Sequence, residues 1–212
     1  MDEIVRQALA KWPNVPDCYG WLALDARGAF RMRDAAAQAA NAPGDVIRHP
    51  ALLSFIYRNY LRNDDGAWFF QNGPQRVFVN LAQTPFIART DPIHGFITHD
   101  GAVMTTIERA WMTGEGRLIL GSGERIATVD DRDLAECLPK LQMAGEPVDD
   151  ARLLQWLETM DGELQLLHVR NPIPIQGLCD QDLGAALGFI ARPATLARID
   201  QSLSANSPSG PR

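Results

Sequence analysis

The chain has 212 residues, 46% apolar and 22% charged, with a net charge of −6. These proportions belong to globular proteins and allow a substantial buried core, as one large domain or two small ones. Lysine occurs only at Lys11 and Lys140, and the arginines are scattered. Without a basic stripe to displace counterions from phosphates, nucleic acid is excluded as a partner.

Met1-Asp2-Glu3 is acidic and no apolar run approaches a membrane span, so the expected setting is cytoplasmic, with no membrane partner. Cys18, Cys137 and Cys179 are far apart, odd in number and lack a Cys-x-x-Cys pair. Reduced thiols are expected.

Ile4, Val5, Ala8 and Leu9 fall at helical spacing before Trp12-Pro13, predicting a short first helix. Residues 19–25 and 29–33 flank an Ala-Arg-Gly turn and read as a hairpin, followed by an Ala-rich helical turn over 34–41. Pro50 opens a helix whose Leu52, Leu53, Ile56 and Tyr60 form one stripe, ended by Asn63-Asp64-Asp65-Gly66. Trp68-Phe69-Phe70 and residues 76–81 form a second hairpin, and Pro74 predicts a turn longer than two residues. Residues 83–92 carry two prolines and read as a junction, with a boundary near Asp91.

Beyond it, 95–99 and 102–107 bracket Asp100-Gly101 as a hairpin. Further strands are predicted at 109–112, 117–120 and 125–129. A helix from Arg132 is interrupted by Pro139, and 151–160 is an amphipathic helix before Asp161-Gly162. A last helix is expected at 180–190, and the Ser/Pro/Gly-rich residues 201–212 read as a disordered tail.

The strand-turn-strand pieces at 66–80, 116–130 and 162–176 resemble one another, and two of them follow a helix ending in Asp-Gly. This predicts an α+β fold of two similar halves, each made of antiparallel β-hairpins packed with a helix, in mostly meander connectivity. The units are residues 1–90 and 91–200.

Chemistry-bearing patterns are sparse. His94 and His99 are five apart, which does not aim both at one metal ion, and no metal site or cofactor is expected. His49 reads as a residue at the start of a helix, and His168 as a hydrogen-bonded imbedded imidazole in an apolar strand. Gly121-Ser122-Gly123 lacks the Lys of a phosphate loop and reads as a tight turn. The carboxylate beside Cys18 would raise its pKa rather than activate it. Asp64-Asp65, Asp130-Asp131 and Asp149-Asp150 sit at helix ends and read as caps.

Residues 71–76, beneath Trp68-Phe69-Phe70, are the least ordinary segment. Their amides and guanidinium could hold a carboxylate or phosphate while the aromatics stack a ring.

The block from His49-Pro50 to Phe86, with Leu52-Leu53, Tyr60-Leu61-Arg62, Asp65-Gly66, Gln75-Arg76-Val77 and Thr84-Pro85-Phe86, resembles an uncharacterised proteobacterial family of unknown function. It is also distantly similar to a bacterial family with a two-part, repeated-motif α+β fold linked to signalling or ligand sensing. Gln71-Asn72-Gly73-Pro74 stands where the latter has Thr-Pro. The resemblance implies no catalytic residues.

The leading expectation is a non-enzymatic protein binding a small ligand or a protein partner in a groove between the hairpins and the Pro50 helix. Its predicted contact residues are Tyr57, Arg58, Trp68, Gln71, Asn72 and Arg76. The alternatives are an enzyme combining Cys18 or Asp25 with His94 or His99, and a structural subunit that self-associates through a strand edge.

Overall fold

The hairpin predicted near the N-terminus forms because β1 (Cys18–Leu24) and β2 (Phe30–Met32) alternate inward and outward residues around the Asp25–Ala29 turn. In the computed structural model, which describes residues 1–169 and 171–194, this hairpin follows α1 (Glu3–Lys11). Next come α2 (Ala35–Ala39), β3 (Asp45–Val46) and α3 (Pro50–Arg58). Then β4 (Tyr60–Arg62), β5 (Trp68–Asn72) and β6 (Gln75–Leu81) complete a six-stranded sheet in the order β3-β2-β1-β6-β5-β4.

Two sequence expectations are corrected here. The helix stops at Arg58 instead of running on to Arg62, because Tyr60, Leu61 and Arg62 pair with Phe70, Phe69 and Trp68. The β5–β6 turn has only two residues: Asn72 pairs with Gln75, and Gly73 takes the positive φ of 58° that the tight turn requires. Pro74 lies between the last paired residues, where its missing N–H is not needed by the ladder.

The second sheet contains β7 (Phe86–Asp91), β8 (Gly95–Thr98), β9 (Arg109–Thr113), β10 (Leu118–Ser122) and β11 (Arg125–Val129). After the single turn of α4 (Leu134–Cys137) come β12 (Leu141–Met143), β13 (Glu146–Pro147), α5 (Asp150–Thr159), β14 (Leu164–His168) and β15 (Asn171–Leu178), and then α6 (Leu183–Leu187). The nine strands run β13-β12-β14-β15-β9-β10-β11-β7-β8.

Residues 86–91, read as junction, are therefore a strand paired on both sides, by β8 and β11. The hairpin predicted over 95–107 forms in shortened form: β8 pairs with β7, and around Asp100-Gly101 Ile97 bridges Val103, with Thr98 N donating to Ala102 O and Met104 N to Phe96 O, before Met104 and Ile107 turn into the core. The predicted tail at 201–212 lies outside the described residues.

Connectivity departs from a meander at three places, where β6, β11 and β15 each lie parallel to an earlier strand, β1, β7 and β9. A parallel neighbour cannot be reached by a tight turn. In each case the returning strand is the second strand of one of the three similar segments seen in the sequence.

One apolar cluster joins the sheets, with Leu24, Phe30, Tyr60 and Trp68 from the first and Phe86, Phe96, Leu118 and Leu166 from the second. Trp68 meets Phe86 edge-on with centroids 5.0 Å apart, and Tyr60 meets Phe86 at 5.7 Å. Such pairs contribute about 0.5–1.5 kcal/mol each beyond their buried area. The segment after α6 then crosses back to the first sheet. Ile190 N donates to Gly66 O (3.0 Å) and Leu81 N to Ala191 O (2.8 Å). Among the described residues no helix is long and apolar enough to cross a membrane.

Candidate functional site

On the inner face of β1, Leu22 pairs with Met32 of β2 and with Val79 of the parallel strand β6. The β1–β6 register shifts between Cys18 and Leu22, with Gly20 at φ 81°, and the distortion carries Trp21 to the rim of a groove against α3. This groove, about 230 Å³ in volume, is lined by Cys18, Trp21, Leu22, Met32, Ile47, Leu52, Ile56, Phe70, Asn72 and Val77. Leu22 and Ile56 are buried and form its floor, whereas Trp21, Met32 and Leu52 remain 43, 46 and 36% exposed. Large apolar side chains scattered singly on a surface need no explanation, but several bordering one concave space make it a candidate binding surface.

Helix geometry sets the α3 wall. Leu52 and Ile56 are four residues apart and so share a face. Pro50 supplies the preset φ for the first turn, and the Leu52 N–H donates to His49 Nδ1 at 3.4 Å. Polar groups are confined to one end of the groove, at Asn72 and Cys18. Burial pushes the Cys18 thiol up, so at neutral pH it is an uncharged, weak hydrogen-bonding group. The neighbouring Asp17, expected from sequence to raise it, is not the cause.

Of the six predicted contact residues, Asn72 lines this groove and the others are dispersed. Trp68 faces the core and Gln71 the opposite side of the same strand, where its Nε2 donates to Gly73 O at 2.9 Å. Arg76 lies over the Phe69 ring at 5.4 Å on that outer side. Arg58 is exposed, with Nε donating to Asp2 Oδ1 at 3.1 Å and Nη1 to Ser54 Oγ at 2.6 Å. Tyr57 packs against Phe30 and His99. The period of two along β5 puts consecutive residues on opposite faces, so closeness in sequence is not convergence here.

The residues proposed for chemistry are also separate. Asp25 Oδ2 accepts from Arg31 Nε at 2.7 Å, and Oδ1 accepts from the Arg27 and Ala29 amides. His94 is exposed in the β7–β8 turn, where its N–H donates to Asp91 Oδ1 at 2.7 Å.

His99 lies between the sheets, ringed by Phe30, Tyr57, Tyr60 and Phe86. Its Nδ1 accepts from Ile87 N at 3.2 Å, so the neutral ring carries its proton on Nε2, which is buried and has no acceptor among the described residues. Burial drives its pKa down to about 4, only partly opposed by Asp100. Burial alone would raise Asp100, yet the Thr98 hydroxyl and Arg125 hold it below its ordinary value. His168, read from sequence as hydrogen-bonded, is also buried, and among the described residues its Nε2 has no partner.

Sequence reasoning found α3 and its hairpins but missed Trp21, Met32 and Val77 as lining residues. Trp21 and Met32 adjoin through the β1–β2 hairpin, and Val77 joins them only through the parallel β1–β6 pairing, which brings together segments more than fifty positions apart. The exposed Trp in a strand beside an in-line Gly was the available signal.

The profile of the DUF2944 family, described as "Protein of unknown function (DUF2946)", matches residues 1–194. The crystal structure of a DUF1285 family protein from Silicibacter pomeroyi DSS-3 is 15% identical, covers 83% of this chain and 96% of its own, and has a TM-score of 0.48. Among curated proteins there is no match.

Proposed function

The chain belongs to the DUF2944 family, whose description assigns it no activity, and from its own geometry we propose that it is a non-catalytic protein binding a small ligand between α3 and the β1–β6 pair. The ligand is a compact, mostly apolar molecule with a single hydrogen-bonding end. Its apolar body lies on Leu22, Ile56, Phe70 and Val77, and its polar end meets Asn72. The observation carrying this reading is the convergence of Trp21, Met32 and Leu52, all substantially exposed, on one apolar groove. The volume supports a small occupant, since about 230 Å³ lies below the roughly 300 Å³ at which sites for drug-sized molecules begin.

The recurring strand order belongs to the same reading. Outer hairpin, returning strand and following strands run β2-β1-β6-β5-β4, then β8-β7-β11-β10-β9, then β10-β9-β15-β14-β12. We take this as one supersecondary unit used three times, the first of which carries the apolar groove. A self-associating role has less support: the sheets end in β3, β4, β8 and β13, of two to four residues each, and short edges are poor templates for pairing.

The neutral fluorophore N-phenyl-1-naphthylamine tests the groove. Saturable emission enhancement is expected with the unaltered protein and its loss in Leu52→Glu, which places a charge on the rim without touching the core. Equal enhancement in both proteins, at an unchanged melting temperature, would refute the assignment.

A further inference from the structure

The opposite face of the same strands has different chemistry. In the first sheet Ala23 pairs with Arg31 on one side and with Asn80 on the other, so these three residues form a row across β2, β1 and β6. Arg33 follows two positions after Arg31 and holds the next outward place, with its N–H donating to Trp21 O at 2.8 Å. The Asn41–Pro43 loop walls one side. The returning C-terminal segment, fixed by the Leu81 N to Ala191 O bond, brings Arg192 to the other. The short side chain of Ala23 keeps the floor low, leaving a hollow of about 270 Å³.

We propose that this hollow is a binding site for a small anion, one bearing a carboxylate or phosphate group, held by Arg31, Arg33 and Arg192 with the Asn80 amide. Three guanidinium groups line it against one carboxylate, Asp25. That carboxylate is already occupied by Arg31 Nε and by two turn amides.

Arg33 carries the argument furthest. It is only 8% exposed, yet its partners are two backbone carbonyls, Ala42 O from Nε (3.0 Å) and Ala37 O from Nη2 (3.5 Å). Among the described residues it has no carboxylate partner. A neutral carbonyl satisfies an N–H group but does not compensate a charge held away from water, and buried cations are ordinarily paired. A ligand anion supplies that charge.

Donors remain for it. Arg31 uses Nε and Nη1, the latter to Gly44 O at 3.1 Å, leaving Nη2. Arg33 retains Nη1, and Arg192 makes no hydrogen bond or ion pair among the described residues. Planar guanidinium forks of this kind suit carboxylate and phosphate oxygens.

Size is limited by the neighbourhood. An adjoining depression that shares Ala42 and Pro43 is lined by Asp34 and Asp45, so a polyanion extending that way would meet like charge. The overall charge of −6 gives no long-range attraction for anions, so binding rests on the arginines of this hollow. The site is separated from the apolar groove by the sheet itself, and it stands whether or not that groove binds a ligand.

Calorimetric titration with inorganic phosphate and with succinate, each in a sodium chloride background of matched ionic strength, tests it. Saturable binding of at least one anion is expected, and which one binds distinguishes a tetrahedral from a planar ligand group. Arg192→Gln, at an exposed position, should weaken it about tenfold, the loss of one charge-assisted contact. Arg33→Lys keeps the charge but not the fork and should weaken it as well. No saturable heat with either anion would overturn the proposal. So would an unchanged Kd in Arg192→Gln, the variant that remains informative should Arg33→Lys fail to fold.

Discussion

Two helices of similar length precede two of the three similar hairpins, and they finish their packing differently. α3 buries Ile56 but leaves Leu52 at the margin beside exposed Trp21 and Met32. α5 buries Trp156, only 2% exposed, whose Nε1 donates to Gly162 O at 3.0 Å. A large ring tied by one hydrogen bond both fills the space between helix and sheet and locks the start of the following hairpin, whereas an aliphatic pair fills less. An apolar groove beside the helix is therefore not a necessary result of packing a helix on a sheet. It reflects which side chain the helix presents.

The largest expected effect comes from removing the plug. Trp156→Ala should destabilise the fold by about 3–5 kcal/mol, as for large-to-small changes at buried aromatic sites, measured as a drop in urea midpoint. Leu52→Ala should cost well under half as much, since that side chain is partly exposed. Equal costs would break the comparison.

Acid should also distinguish the two regions. His99 packs against Tyr57 of α3 and His168 ends the strand after α5, and both are held below the ordinary imidazole value by burial. A depressed folded-state pKa means that the unfolded chain binds the proton more readily. The contribution of His99 is thus fully present above the unfolded value near 6.5 and is lost progressively as pH falls toward about 4. Its limit is about 3 kcal/mol, set by the fall from 6.5 to about 4. Stability of the unaltered protein should fall from pH 6.5 to 4.5, and His99→Gln should flatten that slope. A slope unaltered by the substitution would assign the acid sensitivity elsewhere.

Giving α3 a ring of its own sharpens the same contrast. Leu52→Trp should fill the groove, abolish binding of the naphthylamine probe and leave the fold stable or slightly more so, read from the fluorescence titration and the melting temperature. The smallest effect is expected at Arg58→Ala. Its ion pair with Asp2 is exposed and screened, so the urea midpoint should not move measurably.

The sequence displayed local order well. α3 and α5 announced themselves by apolar spacing, Pro50 and Asp149, and the three strand-turn-strand pieces at 66–80, 116–130 and 162–176 fall on β5–β6, β10–β11 and β14–β15. What could not be read was the set of parallel contacts. Tyr60 to Arg62 continue the helical stripe, but the ladder with Phe70, Phe69 and Trp68 outweighs it. Phe86 to Asp91 sit between prolines yet become an inner strand because β11 returns alongside them.

The same blindness governed the candidate site. Gln71 to Arg76 looked suited to an anion, whereas the residues of the proposed anion site, Arg31, Arg33, Asn80 and Arg192, come from three distant stretches. Chain alternation scattered the predicted residues, and only tertiary pairing gathered those of the proposed site.

The open α3 groove is tested most directly by the indole resonances of the five tryptophans during titration with N-phenyl-1-naphthylamine. The Trp21 Nε1–H signal should shift saturably while that of Trp156, sealed under α5, stays in place. A stationary Trp21 signal alongside a bound probe would contradict the account.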